Sequence, residues 1–169
     1  LLFGLCAPLG AQQPDWTDLS ARRQTDGIRS VDARVTYVAG KLEVFSAEQG
    51  LLYDIGLRYD AARLRPERSW TVDGSAGRLD LKFESAGDSD TEWDFDADEF
   101  GRLRLGLSRE VPASVRLEVG AAEARLELGG IPLTDFVYRT GASSTEITFD
   151  SPNPSRLGRM ELAPARRSS

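Results

Sequence analysis

Apolar and polar residues alternate along most of this chain in short runs. Val35-Thr-Tyr37, Leu42-Glu-Val44, Leu79-Asp-Leu81-Lys-Phe83, Leu103-Arg-Leu105-Gly-Leu107, Val115-Arg-Leu117-Glu-Val119, Phe136-Val-Tyr138 and Ile147-Thr-Phe149 all keep the period of two. So does Leu51 to Tyr59, with Tyr53, Ile55, Leu57 and Tyr59 in phase. Each run has strand length, one apolar face, and Gly, Ser, Asp or Pro at its borders, which predicts an all-β protein. Only Tyr59 to Arg68 has a composition that suits a helix, and Pro66 limits it.

A second pattern overlies the first. Small residues precede the alternation at Ala39-Gly40, Ala76-Gly77, Ala121-Ala122 and Ala142-Ser143, and more weakly at Phe100-Gly101. The Ala121 and Ala142 copies stand 21 residues apart. Small residues suit a sharp corner, and the spacing predicts a repetitive stacked β-sheet, β-solenoid-like, with coils of roughly 20 residues. A coil with one apolar face cannot stand alone, so stacking must cover it and the first and last coils need capping or blunting. Ser151-Pro-Asn-Pro154 is suited to interrupt pairing, and Arg159-Met-Glu-Leu162 reads as the start of one more strand.

The expected organisation is a leader over residues 1–11, a polar linker over 12–30, a β domain over 31–162 and a disordered tail over 163–169. The leader, LLFGLCAPLG, is too short to span a bilayer as a helix and reads as the end of a secretory signal peptide, with cleavage after Ala11. Within the linker, Asp18 to Arg23 has the composition of a short helical turn. Leu5 directly before Cys6 argues against a lipid anchor. The chain reads as starting inside its leader and stopping short at the other end, and as extracytoplasmic.

Composition narrows the chemistry. The 169 residues contain no histidine and one cysteine, Cys6, inside the leader. That removes the usual neutral-pH base, the Ser-His and Cys-His arrangements and the commonest zinc ligand. The net charge of −6, with arginines scattered singly, disfavours nucleic acid as a partner. The expectation is a protein without catalytic, cofactor-binding or metal-binding residues, and with no cofactor.

Three features stand against that expectation. Asp88 to Glu99 holds seven carboxylates in twelve residues, and Asp88, Asp90, Glu92 and Glu99 fall at EF-hand ligand positions 1, 3, 5 and 12. Trp93 stands where that loop needs glycine, and an outward acidic face with Trp93 and Phe95 inward explains the alternation more simply. Trp70 and Trp93 could form a sugar-stacking platform, although a tryptophan in an alternating strand is more often core. Ser143-Ser144-Thr145 has no base to activate it and reads as turn chemistry.

Residues Val115 to Asn153 resemble the toast-rack domains of bacterial envelope proteins. The resemblance rests on Leu117-Glu118-Val119-Gly120-Ala121, Gly130-Ile131 and Thr140-Gly141-Ala142-Ser143, with Val35 to Tyr59 similar to the opening of that family. It implies a stacked β-sheet outside the cytoplasmic membrane, shared with LiaF-like cell-envelope stress regulators and adhesin domains, and it brings no catalytic residues. The function expected is non-catalytic: protein interaction, adhesion or envelope-stress sensing, through a protein partner or self-association. A calcium-stabilised adhesin module and a polysaccharide-acting enzyme using carboxylates are the alternatives.

Overall fold

The computed structural model describes residues 14–86 and 97–164. Ten strands and one helical turn follow in the order β1 (Trp16–Gln24), β2 (Ser30–Ser46), β3 (Leu51–Asp60), β4 (Leu64–Asp73), β5 (Ala76–Ser85), α1 (Ala97–Phe100), β6 (Gly101–Leu107), β7 (Ala113–Glu127), β8 (Leu133–Thr140), β9 (Ser143–Thr148) and β10 (Arg159–Pro164). The all-β expectation holds, and so does the repetitive stack.

Two long strands organise the molecule. β2 and β7 run parallel over their whole lengths, with Ala39 opposite Ala121 and Gly40 opposite Ala122. Both bend there, so one hydrogen-bonded sheet folds into two layers that share a core. The first layer runs β4-β5-β2-β7-β8-β10 through the early halves of β2 and β7. The second runs β1-β3-β6-β2-β7-β9 through their late halves. Val35, Leu81, Leu117 and Phe136 from the first layer and Leu42, Leu57, Leu105 and Leu126 from the second belong to one buried cluster.

The predicted corner is real for four of the five small-residue pairs. Arg102 pairs with Lys41 and Ser143 with Ala122, which brings Phe100-Gly101, Ala39-Gly40, Ala121-Ala122 and Ala142-Ser143 into one stack. Along β7-β9 the step is 21 residues, and between β8 and β10 it is 24. The fifth pair departs from it. Gly77 lies opposite Val31 near the start of β5, where the ring of Trp70 occupies the space a Cβ would need.

Two other expectations give way. Residues 16–24 are a strand, not a linker or a helical turn: β1 pairs antiparallel with β3, and its half-buried residues are Thr17, Leu19 and Ala21. An edge strand needs few apolar residues, because its partner supplies the backbone hydrogen bonds and half of it faces water. Tyr59 to Arg68 is likewise not helical. β3 runs to Asp60, whose buried carboxylate accepts the N–H groups of Asp15 and Ala62, and β4 starts at Leu64. Pro66 is accommodated because β4 is an edge strand. At the other end β10 takes in Ala163 and Pro164, and the leader and residues 165–169 lie outside the described residues.

Tyr37 fills the corner from within. It is fully buried, meets Phe83 edge-on at 5.5 Å, and donates its hydroxyl to the carbonyl of Gly101 at 3.3 Å. Burial pushes its phenol above the ordinary value of 10.0. In the unfolded chain the phenol ionises near that ordinary value, so its contribution is complete below about pH 10 and is lost as pH rises beyond it. Tyr37→Phe should cost about 1 kcal/mol at neutral pH and flatten the alkaline fall in stability. Urea titrations at about pH 8 and about pH 11 measure both effects.

Candidate functional site

The acidic run lies mostly outside the described residues: so do Asp88, Asp90, Glu92, Trp93 and Phe95, and the side chain of Glu99. Asp98, in α1, is described, and its carboxylate stands 2.5 Å from the Lys41 ammonium. That hydrogen bond holds Lys41 above its usual value. Among the described residues no cluster of three His, Cys, Asp or Glu side chains has the arrangement of a metal site.

The serine and threonine hydroxyls at the last corner form a chain. Thr140 meets Ser143, Ser143 lies 3.1 Å from Thr145, and Thr145 lies 2.7 Å from the Tyr138 hydroxyl. Tyr138 belongs to the first layer and Thr145 to the second, so the string ties the layers together.

Trp70 does the same work at the opposite end of the stack. It projects inward from β4, its ring centroid is 5.5 Å from that of Tyr53 on β3, and the Arg23 guanidinium of β1 lies 4.8 Å from its centroid. The ring thus reaches across from the edge of one layer to the edge of the other and is seated as a plug, with Arg23 over it. Its Nε1 is buried without a hydrogen-bond partner.

Among the described residues no such plug closes the far end. Among the described residues the first layer ends on β10 and the second on β9, and each of these strands has one neighbour. Because β8 and β10 both follow β7 in the first layer while β9 alone follows it in the second, the first layer is one strand longer. Met160 and Leu162 occupy the inward positions of β10, opposite Phe136 and Tyr138, yet they are 46% and 55% exposed. Phe149, in phase with Thr145 and Ile147 at the end of β9, is 45% exposed. Core-type positions therefore stand uncovered along an edge whose backbone groups are open. Gly158 N–H donates to the Thr134 carbonyl where β10 begins.

The outer face of the second layer carries charge in rows set by strand register. One row reads Arg104, Glu43, Arg125, Glu146, with Arg104 3.0 Å from Glu43 and Arg125 3.4 Å from Glu146. A neighbouring row reads Asp18, Arg58, Arg102, Lys41, Glu123 and borders a cleft of about 510 Å³ that also includes Trp16. On the first layer, Arg159 and Arg139 hold the Glu161 carboxylate below its usual range, Arg159 the more strongly. None of these rows is visible until register is known, whereas Met160, Leu162 and Phe149 were legible as strand residues but not as exposed ones.

The family model for the N-terminal domain of toast_rack, DUF2154, matches residues 12–156. No curated protein matches the chain. Among solved structures, one described as a "putative cell adhesion protein" from Clostridium sporogenes ATCC 15579 is similar with a TM-score of 0.71 at 15% identity, over 88% of this chain and 73% of that one. A "putative adhesin" from Bacteroides fragilis NCTC 9343 aligns over 88% of this chain and 93% of its own, at 8% identity and a TM-score of 0.24. The first likeness shows a shared fold.

Proposed function

The chain belongs to the toast-rack N-terminal domain family, and from that premise we propose that it is a non-catalytic, exported domain of the cell envelope that works by binding protein. The observation that carries this reading is the difference between the two ends of the stack. Among the described residues Trp70, Tyr53 and Arg23 seal one end, while β9 and β10 leave Phe149, Met160 and Leu162 exposed at the other. An uncovered strand edge lined by apolar side chains is a template for strand addition, one of the recurring ways in which a sheet recruits another polypeptide.

The leader-like run Leu1 to Gly10 supports export, and no helix among the described residues is long and apolar enough to cross a membrane. The absence of histidine from the sequence and the engagement of Asp32, Glu43 and Glu161 by arginines favour binding over hydrolysis. The adhesion protein with the same fold points the same way.

A photo-crosslinking residue placed at Leu162, and in a separate chain at Thr71 on the sealed end, tests the reading in cells of the source organism. The expected result is protein adducts from position 162, recovered in the exported fraction, and none from position 71. Adducts from both ends alike, or from neither, would overturn it.

A further inference from the structure

The row Asp18, Arg58, Arg102, Lys41, Glu123 sets three cations side by side, on β3, β6 and β2. Like charges directly opposite one another across strands are destabilising, so this arrangement works against the fold unless an anion relieves it. Lys41 is relieved within the chain, by Asp98 at 2.5 Å. The arginines beside it are served less well. Arg102 and Arg104 share Glu43, which lies 3.0 Å from Arg104 and only 3.7 Å from Arg102. Arg58 makes no ion pair among the described residues, although Asp18 is its neighbour in register; its guanidinium lies 5.6 Å from the ring centroid of Trp16.

These side chains surround a hollow. Gly56 takes the next position of β3 on the same face as Arg58, between Ser20 and Arg104, and nothing lies within 4 Å of where its Cβ would stand. Trp16, in phase with Asp18 on β1, flanks the hollow and is 39% exposed. In a chain of net charge −6, the cleft of about 510 Å³ is lined by four cations and two carboxylates. We propose that it binds an acidic sugar, a pyranose ring that carries a carboxylate or a phosphate. This site is separate from the exposed residues of β9 and β10 and does not depend on them.

Each part of the cleft has its counterpart in such a ligand. The planar guanidinium bonds two oxygens of a carboxylate or a phosphate at once. The indole of Trp16 offers an apolar body to the C–H face of the ring and a polar tip to its hydroxyls. The volume falls within the range of small-molecule sites, about 300–1,000 Å³. A compact ring is favoured over an acidic peptide, because β3, β6 and β2 are each paired on both sides at this level and leave no backbone groups for a peptide to bond. A nucleic acid would need a longer track of cations than these four.

The test follows amide and indole shifts of the intact, nitrogen-15-labelled chain at low salt as digalacturonate, mannose 6-phosphate, maltose or diglutamate is added. At least one acidic sugar should bind about tenfold more tightly than maltose and shift Gly56, Arg58, Arg102 and the Trp16 indole. The tighter of the two identifies the anion. Arg58→Gln should weaken that binding about tenfold, and so should Gly56→Leu, which fills the hollow without changing charge. Arg65→Gln, at an exposed position on β4 in the other layer, should change it by less than about twofold. An equal loss with Arg65→Gln would reduce the binding to general attraction and overturn the site. Unchanged binding to Gly56→Leu would overturn the location. Diglutamate bound as tightly as the acidic sugars would make this a site for acidic peptide and overturn the assigned ligand. Shifts from none of the four would overturn the proposal entirely, and would leave adducts from position 162 intact.

Discussion

Gly101→Ala should destabilise the fold by about 3–5 kcal/mol, although it adds one methyl group. Gly101 opens β6 with φ of 120°, a conformation that L side chains rarely adopt. A Cβ there would overlap the carbonyl oxygen of Arg58 and stand 2.8 Å from the Cα of Tyr59, and these backbone atoms are fixed in the β3–β6 ladder. Neither strain nor overlap can be relieved by a side chain moving aside. Gly56 is the contrast, because nothing lies within 4 Å of its would-be Cβ and its φ is not in the left-handed region. Gly56→Ala should stay within about 0.5 kcal/mol of the parent. Urea titrations of both variants measure the difference, as a fall in midpoint with unchanged slope. A cost below about 1 kcal/mol for Gly101→Ala would mean that the corner is soft enough to shift.

The same corner shows how far sequence carries the fold. Ala39-Gly40 and Ala121-Ala122 were legible because each is followed by a strand whose one apolar face is buried in the centre of the stack, and Ala142-Ser143 because β9 repeats the same alternation beside β7. Ala76-Gly77 gives an identical signal for another reason: Gly77 makes room for the ring of Trp70, and no corner stacks there. Local pattern cannot separate a glycine that bends the chain from one that admits a neighbour. β1 escaped notice for the opposite reason. Its half-buried residues are Thr17, Leu19 and Ala21, too few and too small to stand out, and its place is fixed by backbone pairing with β3 that leaves no mark on composition.

The exposed apolar residues of β10 were half legible. Met160 and Leu162 alternate with Arg159 and Glu161 just as buried residues do in β7, so the sequence identifies a strand. Whether such a strand is covered depends on how many strands the other layer contributes at that level, which is a property of the whole chain path. Register hides the charge rows in the same way, since Arg104, Glu43, Arg125 and Glu146 come from four separate strands. The acidic run, by contrast, is conspicuous in sequence, yet the contact it shows in the described residues is the ion pair of Asp98 with Lys41.

If the sealed end matters to the asymmetry of the stack, its plug must be essential to it. Trp70→Ala should cost about 3 kcal/mol, at the low end of the range for deleting a packed tryptophan. The packing lost is that against Tyr53, Arg23 and the bare face of Gly77. The cost is moderated because the indole Nε1 is buried without an acceptor, so its removal relieves a desolvated donor worth about 1–3 kcal/mol. Trp70→Phe separates the two effects: it keeps an aromatic ring in the gap, discards the orphaned N–H, and should cost about half as much as Trp70→Ala. Circular dichroism during urea unfolding gives both values without relying on the deleted fluorophore. Unsealing should also add apolar dye binding to Trp70→Ala beyond that of the parent, because Tyr53 and Leu79 lose their cover. A Trp70→Ala chain as stable as the parent and no stickier would mean that the sealed end needs no plug.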